Sequence, residues 1–169
     1  PTYQMHSQIA RVTGTDVVRA WRGHDFRISA DAARQEVVTA DPDVVFLCSP
    51  NNPTGLPEDP AVVDTVLEVA RGLVVVDEAY AQFAPWSALE RVSDDNRLVV
   101  TRTFSKTWSM AAARLGYLIG PRWVIEQLEI AVLPYHLDAV KQLAGTLALA
   151  HVDEMEARVA TLVRSREQL

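Results

Sequence analysis

Short apolar runs alternate with helical patterns along this chain, and that alternation predicts a parallel sheet with crossover helices. Val44-Val45-Phe46-Leu47-Cys48 is apolar throughout and bounded by Pro42 and Pro50, which reads as a buried strand. Asp59-Pro60 then opens a helix by the N-cap and proline rule, with Val62, Val63, Val66, Leu67 and Ala70 on one face and Gly72 as its stop. Leu73-Val74-Val75-Val76 reads as a second buried strand that delivers Asp77 at its C-terminal end. Leu98-Val99-Val100-Thr101 reads as a third, delivering Thr103 to Lys106, and Leu115 to Gly120 as a short fourth. Pro121 to Val132 has the spacing of a helix with Val124, Ile125 and Leu128 on one side. Beyond Pro134 the pattern predicts helix from about Asp138 to the end of the chain. Its apolar positions are Val140, Leu143, Ala144 and Leu147, then Val159, Leu162 and Val163. No internal repeat or low-complexity linker interrupts the series.

The predicted topology locates the chemistry. In open α/β sheets, ligands bind outside the carboxyl ends of the strands. Three polar segments follow three predicted strands: Ser49 to Gly55, Asp77 to Tyr80, and Thr103 to Lys106. One crevice is therefore expected to collect all three.

Composition narrows the class. The 169 residues, 49% of them hydrophobic, suffice for one sizeable core. A net charge of -6 leaves no basic stripe with which to displace counterions from nucleic acid. The single Cys48 excludes a disulfide framework and fits a reducing cytoplasm. No apolar run is long enough to span a bilayer as a helix. The opening Pro1-Thr2-Tyr3 carries no initiator methionine and reads as the interior of a longer protein.

Within the crevice, Lys106 stands out. It lies among Thr103, Ser105 and, eight residues on, Arg114, at the end of an apolar strand. Hydroxyls and a guanidinium are the donors a phosphate monoester needs, and arginine adds a bidentate fork. An amine beside a phosphate site suggests an aldehyde cofactor held as a Schiff base, which points to pyridoxal phosphate.

Two further segments carry open readings. Asp77-Glu78 ends a strand with two carboxylates, which either cap the following turn or place Asp77 against a pyridine nitrogen that it keeps protonated. Tyr80 is either a core aromatic with a satisfied hydroxyl or a donor to a phenolic oxygen. Ser49-Pro50-Asn51-Asn52-Pro53-Thr54-Gly55 is either an ordinary strand-to-helix turn or a rigid loop that aims an amide at a ring oxygen, with Asn52 biased to an extended backbone by Pro53.

Ser49-Pro-Asn-Asn-Pro-Thr-Gly55, Asp77-Glu-Ala-Tyr80 and Ser105-Lys106 with Arg114 occur in the order seen in fold-type I pyridoxal-phosphate aminotransferases. The chain resembles that family over nearly its whole length. The resemblance implies a three-layer αβα large domain with a mostly parallel sheet over residues 1–134, and a helix leading into a small C-terminal domain over 135–169. It implies pyridoxal 5'-phosphate as cofactor, with no metal. Lys106 is implied to link to the cofactor and to shuttle the proton between substrate α-carbon and cofactor C4′. Asn52 and Tyr80 are implied to bind the ring's phenolic oxygen, Asp77 the pyridine nitrogen, and Thr103, Ser105 and Arg114 the phosphate. Pro1-Thr-Tyr-Gln-Met-His6 resembles the family segment whose aromatic residue, here Tyr3, stacks on the ring, and His6 is then expected to support the charge of Asp77.

The opening Pro-Thr-Tyr-x-Met and the run Leu133-Pro-Tyr-His-Leu137 resemble the histidinol-phosphate aminotransferase subgroup. That likeness implies an amino donor and a 2-oxo acid acceptor, a homodimer with its site at the interface, and no nucleic-acid or membrane partner. Other amino-acid aminotransferases and phospho-amino-acid decarboxylases share the cofactor residues, and a catalytically inactive cofactor-binding domain is the alternative outside enzymes. The chain departs from the pattern at Ala112, where the family usually has glycine, and at Trp108, which is expected simply to pack. The family's upstream glycine turn, partner-subunit tyrosine and downstream substrate arginine have no counterpart in these residues, so a fragment is expected.

Overall fold

The computed structural model describes residues 1–168. Four strands form one sheet in the order β1-β2-β3-β4: Val44–Cys48, Leu73–Asp77, Leu98–Thr103 and Gly116–Ile119. The first three run parallel, and β4 pairs antiparallel with β3. In register, Cys48 lies beside Asp77 and Asp77 beside Thr101, so β1 and β2 end level and β3 runs two residues further.

Helices cover both faces, giving the expected three layers. Helix α3 (Pro60–Val69) begins as predicted, with the Asp59 carboxylate accepting from Ala61 N and Pro60 in the first turn. Its Val62, Val63 and Val66 pack with Ala33 and Val37 of α2 (Ala30–Ala40) onto Val74, Val76, Leu98 and Val100 of the sheet. Each of those valines is almost wholly buried, a contribution of about 1.5–3 kcal/mol apiece. Val75 and Val99 face the opposite side, where Val124 of α4 (Arg122–Ala131) covers them. Two helices, α1 (Met5–Val12) and α2, add to the predicted series; α1 has Met5, Ile9 and Val12 at helical spacing but no buried residue, and α2 buries only Ala33 and Val37.

Three expectations need correction. The run Val44–Cys48 is a strand, but not a buried one: it is the sheet edge, and Val44 and Phe46 stay exposed while Val45 and Leu47 pack inward. Helix α3 ends at Val69, before Gly72. Gly72 serves a different purpose, because a Cβ there would lie 2.0 Å from the carbonyl oxygen of Asp43, the residue just before β1, and only glycine lets β2 start that close to its neighbouring strand. The apolar face expected beyond Asp138 is divided. Helix α5 (Ala139–Ala148) leaves Val140, Leu143 and Leu147 exposed and packs instead through Gly145 against Leu115 and Phe104.

A 3-10 turn at Leu149–His151 separates α5 from α6 (Val152–Glu167), and the last expected helical residue, Leu169, lies outside the described residues. Met155 and Val159 of α6 join Phe104, Trp108 and Leu115 in a second packing centre directly beneath the turn that carries Lys106. Trp108 packs as expected, its ring 5.5 Å from that of Phe104. Among the described residues no helix is long and apolar enough to cross a membrane.

Candidate active site

A cleft of about 230 Å³ opens at the carboxyl ends of β1, β2 and β3. All eight residues expected from the sequence line it: Tyr3, Asn52, Asp77, Tyr80, Thr103, Ser105, Lys106 and Arg114. Cys48 and Arg102 line it too and were not anticipated. Both were legible in principle. Cys48 ends β1 in register with Asp77, and Arg102 sits beside Thr103 on β3.

The loop after β1 is held by its own backbone and by buried side chains. Asn51 N donates to Leu56 O at 2.8 Å and Gly55 N to Asn51 O at 2.7 Å, with Gly55 at φ +70°. Glu58 N donates to Ser49 Oγ at 3.1 Å, and the buried Glu58 carboxylate pairs with Arg22. Both prolyl bonds, Ser49–Pro50 and Asn52–Pro53, are cis. The two asparagines divide the work. Asn51 is buried and committed, donating from Nδ2 to Pro1 O at 3.0 Å and Thr54 Oγ1 at 2.9 Å, whereas Asn52 lines the cleft.

The paired carboxylates at the end of β2 separate as well. Glu78 points away from the cleft, fully buried, and accepts from Ser87 Oγ, Ala88 N and both Nε and Nη2 of Arg102. Asp77 makes the local cap that the sequence left open and also meets His6. Its Oδ1 accepts from Ala79 N at 3.0 Å, a local turn cap, and its Oδ2 lies 3.0 Å from His6 Nε2. His6 is therefore where it was expected, reaching Asp77 across 71 residues.

The hydrogen bond to Asp77, and after it that to Cys48, pushes the His6 imidazole up from 6.5 to about 9. A raised folded-state value means the pair stabilises the fold fully below about pH 6.5 and loses that contribution as pH rises through about 9. Screening at this half-buried position limits it to about 1 kcal/mol. Urea midpoints measured between these two pH values should fall more in the parent protein than in His6→Gln, and parallel curves would refute the pairing.

The third strand end shapes the lysine turn. Phe104 N donates to Leu115 O at 3.0 Å and Met110 N to Phe104 O at 3.0 Å. Thr103 lines the cleft as expected, and its Oγ1 donates to Leu115 O at 3.2 Å and accepts from Ser105 N at 3.1 Å. Lys106 Nζ lies 5.2 Å from the centre of the Tyr80 ring, exposed to the cleft. Arg114 takes a left-handed backbone conformation (φ 51°) and directs Nη1 toward Ala111 O at 3.2 Å. Ala112, in the 3-10 turn Ala111–Ala113, is not among the residues with positive φ, so its methyl strains nothing.

The fold and cleft define an α/β protein with an amine, a carboxylate, a phenol, an amide, a hydroxyl and a guanidinium around one opening at the strand ends. The chain belongs to the aminotransferase class I and II family, whose model matches residues 1–169. It is 45% identical over its full length to a histidinol-phosphate aminotransferase of Thermobifida fusca (strain YX), of which it covers 47%. It is 43% identical, again over its full length, to one of Mycobacterium avium (strain 104), of which it covers 43%. The chain thus spans less than half the length of these curated relatives. Its fold matches the crystal structure of a histidinol-phosphate aminotransferase from Sinorhizobium meliloti in complex with pyridoxal-5'-phosphate at a TM-score of 0.89. That match has 23% identity and covers 98% of this chain and 46% of that one.

Proposed function

We propose that this chain is the cofactor-binding part of a pyridoxal-phosphate-dependent aminotransferase that converts histidinol phosphate and 2-oxoglutarate to imidazole acetol phosphate and glutamate. The observation that carries this reading is the cleft itself, in which the Lys106 amine and the Asp77 carboxylate, paired with His6, share one opening with Ser105 and Arg114. The donor set fits the cofactor group by group. Asp77 meets the pyridine nitrogen, Asn52 and Tyr80 the phenolic oxygen, and Tyr3 the ring face. Thr103, Ser105 and Arg114 take the phosphate. Bound there, pyridoxal phosphate supplies an electron sink for the pair left on the substrate α-carbon.

The protein's own part is positional and acid–base. A carboxylate at Asp77, hydrogen-bonded to His6, favours a protonated ring nitrogen. Lys106 supplies the amine that holds the cofactor aldehyde and then moves the α-proton, a transfer worth roughly 10²–10⁴-fold when the base is in place. Histidinol phosphate is favoured as donor because the relatives of that name share 43–45% of this chain over its whole length. On the same reading, residues 1–134 belong to the large domain and 135–169 lead into the small one. The active form is a cytoplasmic homodimer with its site at the interface.

Incubation with pyridoxal phosphate followed by borohydride should fix the label on Lys106, and an unreduced sample given histidinol phosphate and 2-oxoglutarate should consume the first and form glutamate in equal amounts. Label on another residue would overturn the cofactor assignment. Preferential turnover of an aromatic amino acid would overturn the substrate.

A further inference from the structure

His6 is held on several sides at once. Its ring stacks on Phe46 with centroids 4.5 Å apart and planes 16° from parallel, and it meets Tyr3 edge-on at 5.3 Å. Nε2 faces Asp77 Oδ2 at 3.0 Å, and Nδ1 faces Cys48 Sγ at 3.9 Å. Phe46 and Cys48 are two residues apart on β1, so strand alternation points both to the same side of the sheet. Tyr3, Cys48 and Asp77 are the titratable groups that contact the imidazole, from the segment before α1, from β1 and from β2.

We propose that Cys48 is a positioning residue for the cofactor site: its sulfur accepts from Nδ1–H of the doubly protonated His6 ring, whose Nε2–H donates to Asp77, so that a cation stays beside that carboxylate at the cleft. The inference rests on the reading of Asp77 as partner of the cofactor's ring nitrogen.

The geometry favours a proton relay over a metal cage. Ligand atoms of His6, Cys48 and Asp77 all lie within 4.8 Å of one another. Cys48 and Asp77, however, face different nitrogens of the ring, and an ion on the lone pair of either nitrogen is turned away from the ligand at the other. A ring with an acceptor at both nitrogens is best satisfied when both are protonated. Sulfur is a weak acceptor, but Cys48 is only 5% exposed, which leaves little room for water to take its place beside Nδ1. The raised proton affinity of His6 agrees with this arrangement, since Cys48 contributes to it after Asp77.

The test follows the imidazole nitrogens by ¹⁵N NMR across pH in the cofactor-free protein. In the parent, both nitrogens should remain protonated through neutrality and titrate near pH 9. Cys48→Ala should lower the proton affinity of His6 roughly tenfold, and Cys48→Ser, which restores an acceptor, should recover part of that loss. If Cys48 only packs, the alanine variant will lose stability while the His6 titration stays where it was, and the proposal fails.

A second reading measures pyridoxal phosphate binding by absorbance. The loss of affinity in Cys48→Ala relative to the parent should be about threefold larger at pH 8.5 than at pH 6.5. A loss that is the same at both pH values, despite a shifted titration, overturns the positioning role. A parent protein that binds no cofactor overturns the proposed function, while the nitrogen titration still judges the Cys48–His6 contact.

Discussion

On the proposed function, Lys106→Ala should lower the rate of amino-group transfer by roughly 10²–10⁴-fold, the range lost when a positioned acid–base group is removed. The chain has only one other lysine, Lys141, which lies on α5 and pairs with Asp138 at 3.0 Å, so no second amine lines the cleft. Lys106 is also exposed and contributes nothing to either packing centre. Its removal should therefore shift stability by no more than about 0.5 kcal/mol. Single-turnover rates with bound cofactor, set beside urea midpoints, separate the two effects. A variant that keeps more than a tenth of the parent rate would move the proton-transfer role to another residue.

The largest expected effect on stability comes from Glu78. This carboxylate is 2% exposed and is anchored by Ser87, Ala88 and Arg102. Truncation to alanine leaves the Arg102 guanidinium, itself largely buried, without its counter-charge. Breaking one side of a buried pair costs about 3–5 kcal/mol. Glu78→Gln keeps shape and an acceptor and should lose less. Arg102→Met with Glu78→Met, which removes both charges, should recover most of the loss. Denaturant midpoints for the three variants check the order, and a Glu78→Ala protein as stable as the parent would show that the network carries no net energy. Because Arg102 also lines the cleft, the same truncation frees a cation at the edge of the active site.

What the sequence revealed, and what it hid, follows from the range of the interactions. The strands were legible because Val74, Val76, Leu98 and Val100 are buried on a sheet covered from both sides, which leaves continuous apolar runs. The convergence of Asn52, Asp77 and Lys106 followed from the rule that ligands sit at strand ends. Exposure of Val44 and Phe46 was hidden, because composition alone does not distinguish an edge strand from a central one. The outward face of α5 was hidden for a related reason: the decisive residue is Gly145, which has no side chain to register in a hydrophobic pattern. Glu78 could be read only as a local cap, since Arg102 lies 24 residues away. The bond from Thr103 to the Leu115 carbonyl was hidden as well, because it joins residues 12 apart in the chain.

That bond has a thermodynamic consequence. Thr103, Phe104, Ser105 and Met110 are already tied to one another and to Leu115 by the chain's own hydrogen bonds. The conformational entropy of this segment, about 1–2 kcal/mol for each residue fixed, is therefore spent during folding. An incoming ligand meets a rigid template, and its affinity is reduced little by loop ordering. Mutations that loosen the template, even those that touch no ligand atom, will appear as weaker binding with a more unfavourable entropy.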